Sequence, residues 1–136
     1  MGMDLKGKDD DFAFNLFAWG NTLRLACMYG WQPVGTLAPR KWGRRSKRRP
    51  WDGNYDTNDG QRVSAEDALA LADALERALP DVPTHDALAH KTREVGGIRC
   101  IPVDADVSPL EYLSGKGRTR LTDFIRFCRA GGFEIW

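Results

Sequence analysis

The sequence predicts an α+β fold: a helix-rich, compact single domain over residues 1–136, with three or four main helices and a small sheet of short strands. Three observations carry this. Apolar residues recur at helical spacing in separate stretches, with cap and stop residues around them. Short β-prone segments fall between these stretches without a regular strand–helix alternation. Hydrophobic residues make up 42% and charged residues 29% of the chain, near globular averages, so a core can form and wholesale disorder is excluded.

Residues 1–11 carry Asp4, Asp9, Asp10 and Asp11, with no apolar h-region or small-residue cleavage site, so they read as a flexible N-terminal leader and not as a secretory signal. Phe12 to Phe14 read as a short extended piece. Asn15 is an N-cap for a helix over 16–29, where Leu16, Trp19, Leu23, Ala26 and Cys27 form one apolar face and Gly30 is the stop. Gly20 lies inside it, which implies either close packing of another backbone or a bend.

Over 36–50 the periodicity vanishes. Seven of the ten residues 40–49 are basic (Arg40, Lys41, Arg44, Arg45, Lys47, Arg48, Arg49), with Trp42 and Trp51 beside them, and the segment reads as a basic loop. Residues 51–55 and 61–63 are expected to pair as a hairpin across the polar turn 56–60. Ser64 then caps a helix over 65–79, with Glu66 and Asp67 in its first turn and Ala68, Leu71, Ala72, Leu75 and Leu79 on its buried face; Pro80 ends it. Residues 84–91 can make two helical turns and 98–103 a strand. Ser108-Pro109 opens a short helix through 113, residues 114–117 read as a loop, and a last helix begins near Thr119 with Leu121, Phe124, Ile125 and Cys128 on one face. Gly131-Gly132 stops it before an extended 133–136.

No segment is long and apolar enough for a membrane helix, since the most apolar window, Phe12 to Gly20, is about half of the ~18 residues required. Three cysteines, Cys27, Cys100 and Cys128, without CxxC spacing suggest buried thiols in a reducing cytoplasm. The 20 basic and 19 acidic residues give a net charge of +1, which conceals a division: residues 1–50 carry +6 and residues 51–136 carry −5. A uniformly basic binder is excluded, but a locally basic one is not.

The motifs that suggest chemistry are incomplete. Asp56, Asn58, Asp59 and Gly60 resemble the start of a calcium loop, but one residue is missing between Asn58 and Asp59, and a polar turn accounts for all four. Residues 114–119 resemble a phosphate loop, which requires glycine at position 110 and a hydroxyl at 117; the chain has Leu110 and Gly117. His85 and His90 are five apart, off one helical face, and the carboxylate pair Asp104 and Asp106 is better accounted for as turn and N-cap polarity before Ser108-Pro109 than as an acid–base pair. The reading therefore names no catalytic, cofactor-binding or metal-binding residue.

Three segments together resemble a group of small bacterial proteins to which no reaction is assigned: Gly30-Trp31-Gln32-Pro33-Val34-Gly35-Thr36; Tyr55 with Asn58-Asp59-Gly60 through Asp67-Ala68, Leu71-Ala72 and Ala74-Leu75; and Phe124-Ile125 with Phe127-Cys128 and Gly131-Gly132-Phe133. The resemblance covers about a third of the chain, and relative to it 40–49 looks like an insertion. The functional expectation is a non-enzymatic binding domain in a bacterial cytoplasm, taking a protein partner, with an immunity-like or toxin- or phage-related role suggested by size and character. The binding residues expected are Arg40, Lys41, Trp42, Arg44, Arg45, Lys47, Arg48, Arg49 and Trp51. The alternatives are nucleic-acid binding through that same basic loop, where cations meet phosphates and indoles stack on bases, and a small hydrolase.

Overall fold

Leu5 and Ile135 lie side by side at the centre of a four-stranded antiparallel sheet, although they come from opposite ends of the chain. The computed structural model describes residues 2–43, 49–101 and 106–136. The sheet has the order β2-β1-β6-β3, formed by β1 (Gly2–Gly7), β2 (Asp11–Asn15), β6 (Phe133–Ile135) and β3 (Gln61–Val63). Helices α1 (Leu16–Met28), α2 (Ala65–Ala78), α3 (Pro109–Tyr112) and α4 (Lys116–Arg129) complete a compact α+β domain, and β4 (Arg93–Val95) and β5 (Ile98–Cys100) form a separate hairpin joined by Gly96-Gly97.

The expected flexible leader is instead an inner strand of the sheet. Met3 and Leu5 alternate with exposed Asp4 and Lys6, a period of two that buries one face, and β1 pairs with β2 on one side and β6 on the other. Phe14, Val63, Phe133 and Ile135 are buried with them. Under this face α2 lies against α4, and Trp19, Leu71, Leu75, Leu121 and Phe124 fill the core. Phe124 meets Phe14 and Trp19 edge-on, at ring separations of 5.0 and 5.9 Å.

Helix starts follow their caps. Asn15 accepts the amide of Ala18 at 2.7 Å, Ser64 that of Asp67 at 3.1 Å, and Ser108 forms a reciprocal capping box with Glu111. Gly20 meets no neighbouring atom within 4 Å of a notional Cβ, so close backbone packing is not its reason. Helix α4 begins at Lys116, three residues before the expected start, taking in half of the expected loop 114–117. Residues 84–91 contain only a short 3₁₀ turn, Ala89–Lys91. The expected strand 98–103 is shorter and pairs in the exposed β4–β5 hairpin; its residues 102 and 103 lie outside the described residues. Of the cysteines only Cys128 is buried, while Cys27 and Cys100 are exposed. Cys27 follows Ala26 by one position, which turns it about 100° away from the face that Ala26 buries. Among the described residues no helix is long and apolar enough to cross a membrane.

Candidate binding face

The solvent side of the sheet carries one row of charges. Glu134 on β6 stands opposite Lys6 on β1 and opposite Arg62 on β3, because the two antiparallel registers place all three at the same level. Among the described residues Arg40 is the cation that pairs with this carboxylate, its Nε 3.2 Å from Glu134 Oε2. Lys6 also places its ammonium 5.5 Å from the centre of the Trp136 ring. Lys6, Lys8, Leu37, Arg40 and Arg62 border a shallow groove of about 410 Å³ around this centre.

Residues 35–43 are brought to the groove by backbone pairing. Leu37 and Arg62 exchange two backbone hydrogen bonds, Leu37 N to Arg62 O at 2.8 Å and Arg62 N to Leu37 O at 3.0 Å, which covers the outer edge of β3. Arg62 Nε donates to Ala38 O at 3.1 Å. This pairing displaces the expected hairpin. Residues 51–55 run beside 35–36, where Thr36 N donates to Gly53 O at 3.0 Å and the Thr36 hydroxyl donates to Asn54 O at 2.6 Å. The turn 56–60 is organised by amide side chains. Asn54 Oδ1 accepts the amides of Asp56 and Thr57, and buried Gln61 accepts the amide of Asp59 through Oε1 and donates to Thr57 O through Nε2. Asp56, Asn58 and Asp59, the residues of the calcium-like pattern, are all exposed, and among the described residues no group of three or more His, Cys, Asp or Glu gathers as metal ligands would. The Asn54 side chain holds the Asp52 carboxyl below its ordinary range, with help from the Asn54 backbone amide.

The two tryptophans beside the basic run pin its ends together. Their rings meet edge-on at 5.0 Å; Trp42 Nε1 donates to Arg49 O at 3.0 Å, and Trp51 Nε1 donates to Thr36 O at 3.1 Å and to Thr36 Oγ1 at 3.0 Å. Both indoles are half-buried, while Arg40, Lys41 and Arg49 are exposed. Arg44, Arg45, Lys47 and Arg48 lie outside the described residues. The residues that complete the face (Lys6, Lys8, Arg62 and Glu134) are not among those expected to bind. The alternation of Met3 and Leu5 with Asp4 and Lys6 is the signal that could have revealed β1 and the exposure of Lys6.

Behind this face lies a buried polar cluster. Asp67, 3% exposed, accepts the Tyr55 hydroxyl on Oδ2 at 2.6 Å and Trp31 Nε1 on Oδ1 at 3.0 Å. The Tyr55 hydroxyl accepts the amide of Gly35 at 3.0 Å, and the Tyr55 carbonyl accepts Trp19 Nε1 at 2.8 Å. Trp31 and Tyr55 meet edge-on at 5.2 Å. Burial, then the bond to Asp67 and its negative charge, pushes the Tyr55 phenol well above the ordinary tyrosine value. Trp31, Gly35, Tyr55 and Asp67 all belong to the sequence pattern described above, so much of that pattern is the wiring of one cluster. Ser114 has a similar positioning role elsewhere: its hydroxyl accepts the Ala87 amide at 2.9 Å and donates to Glu111 O at 2.6 Å.

No protein-family model, curated protein or solved structure matches this chain.

Proposed function

We propose that this chain is a binding domain whose partner is a protein with an acidic surface, docked on the face around Glu134 and the basic segment 40–49. The observation that supports it is the arrangement of Lys6, Arg62 and Arg40 about Glu134, with exposed Asp11 opposite Lys6 as a second carboxylate in the row, continued by exposed Lys8, Lys41 and Arg49. Positive charge in excess of its local counter-charge, held on a rigid sheet, steers an acidic partner and fixes its orientation. Leu37 and Trp136, 50% and 45% exposed, add apolar contact area to the same face.

Two features favour protein over single-stranded nucleic acid. A carboxylate at the centre of the face repels a phosphate chain but suits a surface of mixed charge. In the edge-to-face pair of Trp42 and Trp51 the edge of one indole covers a face of the other, and both N–H groups are spent on oxygens at the base of the segment, which leaves less ring face for stacking on bases.

The test compares immobilised wild-type chain with a triple variant, Lys8→Glu, Lys41→Glu, Arg49→Glu, in extract with and without nuclease treatment. None of these side chains takes part in a hydrogen bond or ion pair among the described residues. A protein retained by the wild type, lost from the variant and released by raised salt is the expected result. Equal retention by both overturns the reading. Binding that disappears with nuclease, together with a salt-sensitive shift of a short oligonucleotide, replaces it with nucleic-acid recognition.

A further inference from the structure

At the other edge of the sheet, against β2, lies a cleft of about 490 Å³, a size that suits a small ligand. Its wall is mainly apolar: Phe14 and Ala18 on one side, Leu88 and Ile101 on another, Tyr112 and Leu113 at the base of α3. Two solvent-exposed arginines also line it, and both are held in place by other groups. Arg120 lies with its guanidinium carbon 4.2 Å from the centre of the Phe12 ring and donates through Nη2 to Ala13 O. Arg99 donates to Thr92 Oγ1 through Nε at 3.3 Å and Nη2 at 3.1 Å, and through Nη2 to Asp86 Oδ2 at 3.2 Å.

The charges leave a remainder. Asp86 neutralises Arg99, while among the described residues Arg120 has no carboxylate within ion-pair distance, so the lining carries one net positive charge. Neither arginine uses Nη1 in a hydrogen bond among the described residues. An apolar wall, one uncompensated cation and two guanidinium edges in fixed orientation are the complement of one kind of molecule: an apolar chain or ring ending in a single carboxylate.

We propose that this cleft binds an amphipathic monocarboxylate, with the apolar body against Phe14, Leu88 and Tyr112 and the carboxylate on the Nη1 edge of Arg120, assisted by Arg99. The site is separate from the cationic face: it borders β2, and the groove borders β6 and β3.

Titration of the full chain with octanoate and with 1-octanol, followed by calorimetry and by amide chemical shifts, tests the assignment. Octanoate is expected to bind saturably at one site and at least about tenfold more tightly than 1-octanol, the ratio expected for a charge-assisted hydrogen bond. Arg120→Gln is expected to weaken octanoate about tenfold while leaving 1-octanol unchanged. Because Arg120 also braces Ala13, a second variant is needed: Leu88→Glu, at a half-buried position on the wall, is expected to abolish octanoate binding by like-charge repulsion. The triple charge variant of the other face should bind octanoate as the wild type does, so failure of one proposal is distinguishable from failure of the other. The inference is overturned if octanoate shows no saturable binding, if 1-octanol binds as tightly, or if a folded Leu88→Glu variant keeps the wild-type affinity.

Discussion

The Tyr55 hydroxyl donates to Asp67 Oδ2 at 2.6 Å in the interior, joining the loop that carries the basic segment to the first turn of α2. The same hydroxyl accepts the Gly35 amide, so it serves both sides of the junction. Tyr55→Phe leaves an amide and a carboxylate oxygen short of a partner and is expected to cost about 1–3 kcal/mol. Asp67→Ala removes the acceptor for Trp31 and Tyr55 together and should cost at least as much. Urea denaturation of both variants checks this, and an unchanged midpoint for Tyr55→Phe would mean the cluster contributes nothing to stability.

The raised Tyr55 phenol has a consequence at alkaline pH. Burial first, and the Asp67 bond second, disfavour the phenolate in the folded chain, so above the ordinary tyrosine value of about 10 the unfolded chain loses this proton before the folded one does. The unfolded state then binds fewer protons, and stability falls as pH rises past 10. Tyr29, raised mainly by its hydrogen bond to Asp81, and Tyr112, raised by burial, act in the same direction. Phenolate absorbance of the native protein should therefore lag behind that of the chain in urea, and Tyr55→Phe should lessen the alkaline loss of stability.

Leu5 is wholly buried in what reads, from its sequence, as a leader. Leu5→Ala should cost about 2–5 kcal/mol, the usual price of a core leucine. Phe17→Ala, at a position 73% exposed, should change the midpoint little. Equal effects in thermal unfolding would contradict the inner position of β1.

Gly132 sits where α4 hands over to β6, and a Cβ there would lie 2.5 Å from Val63 O and 3.0 Å from Ala65 N. Both neighbours are backbone and cannot turn aside. Gly→Ala at an unstrained site normally stabilises by about 0.4–1 kcal/mol through the unfolded chain. Gly132→Ala should instead destabilise by about 1–3 kcal/mol. The sign of the melting-temperature change decides between the two.

Thiol chemistry gives a direct check on α1 and α4. Cys27 and Cys100 are exposed, whereas Cys128 is fully buried and its thiol is pushed up chiefly by burial. An aromatic disulfide reagent should titrate two thiols quickly in the native protein and the third only on unfolding. Three fast thiols would contradict the packing of α4.

The helices were legible in the sequence because their determinants are local. Asn15, Ser64 and Ser108 each satisfy amides within three residues, and the spacing of Leu71, Ala72 and Leu75 names a buried face without reference to any other element. The basic segment and its tryptophans were legible as composition, and the charges that complete the face on the sheet were not. Lys6, Arg62 and Glu134 come from the beginning, middle and end of the chain, and only strand register brings them to one level.

By itself the sequence determined an α+β class, the positions of the caps and the concentration of positive charge between Arg40 and Arg49. The tertiary structure alone decided that Gly2–Gly7 form an inner strand, that Leu37 rather than residues 51–55 lines the edge of β3, and that Glu134 stands level with Lys6 and Arg62 and pairs with Arg40. The physical reason is the range of the interactions. Helical periodicity and capping act over a few residues, whereas strand pairing is selected by how well distant segments bury a common face, which local composition does not encode.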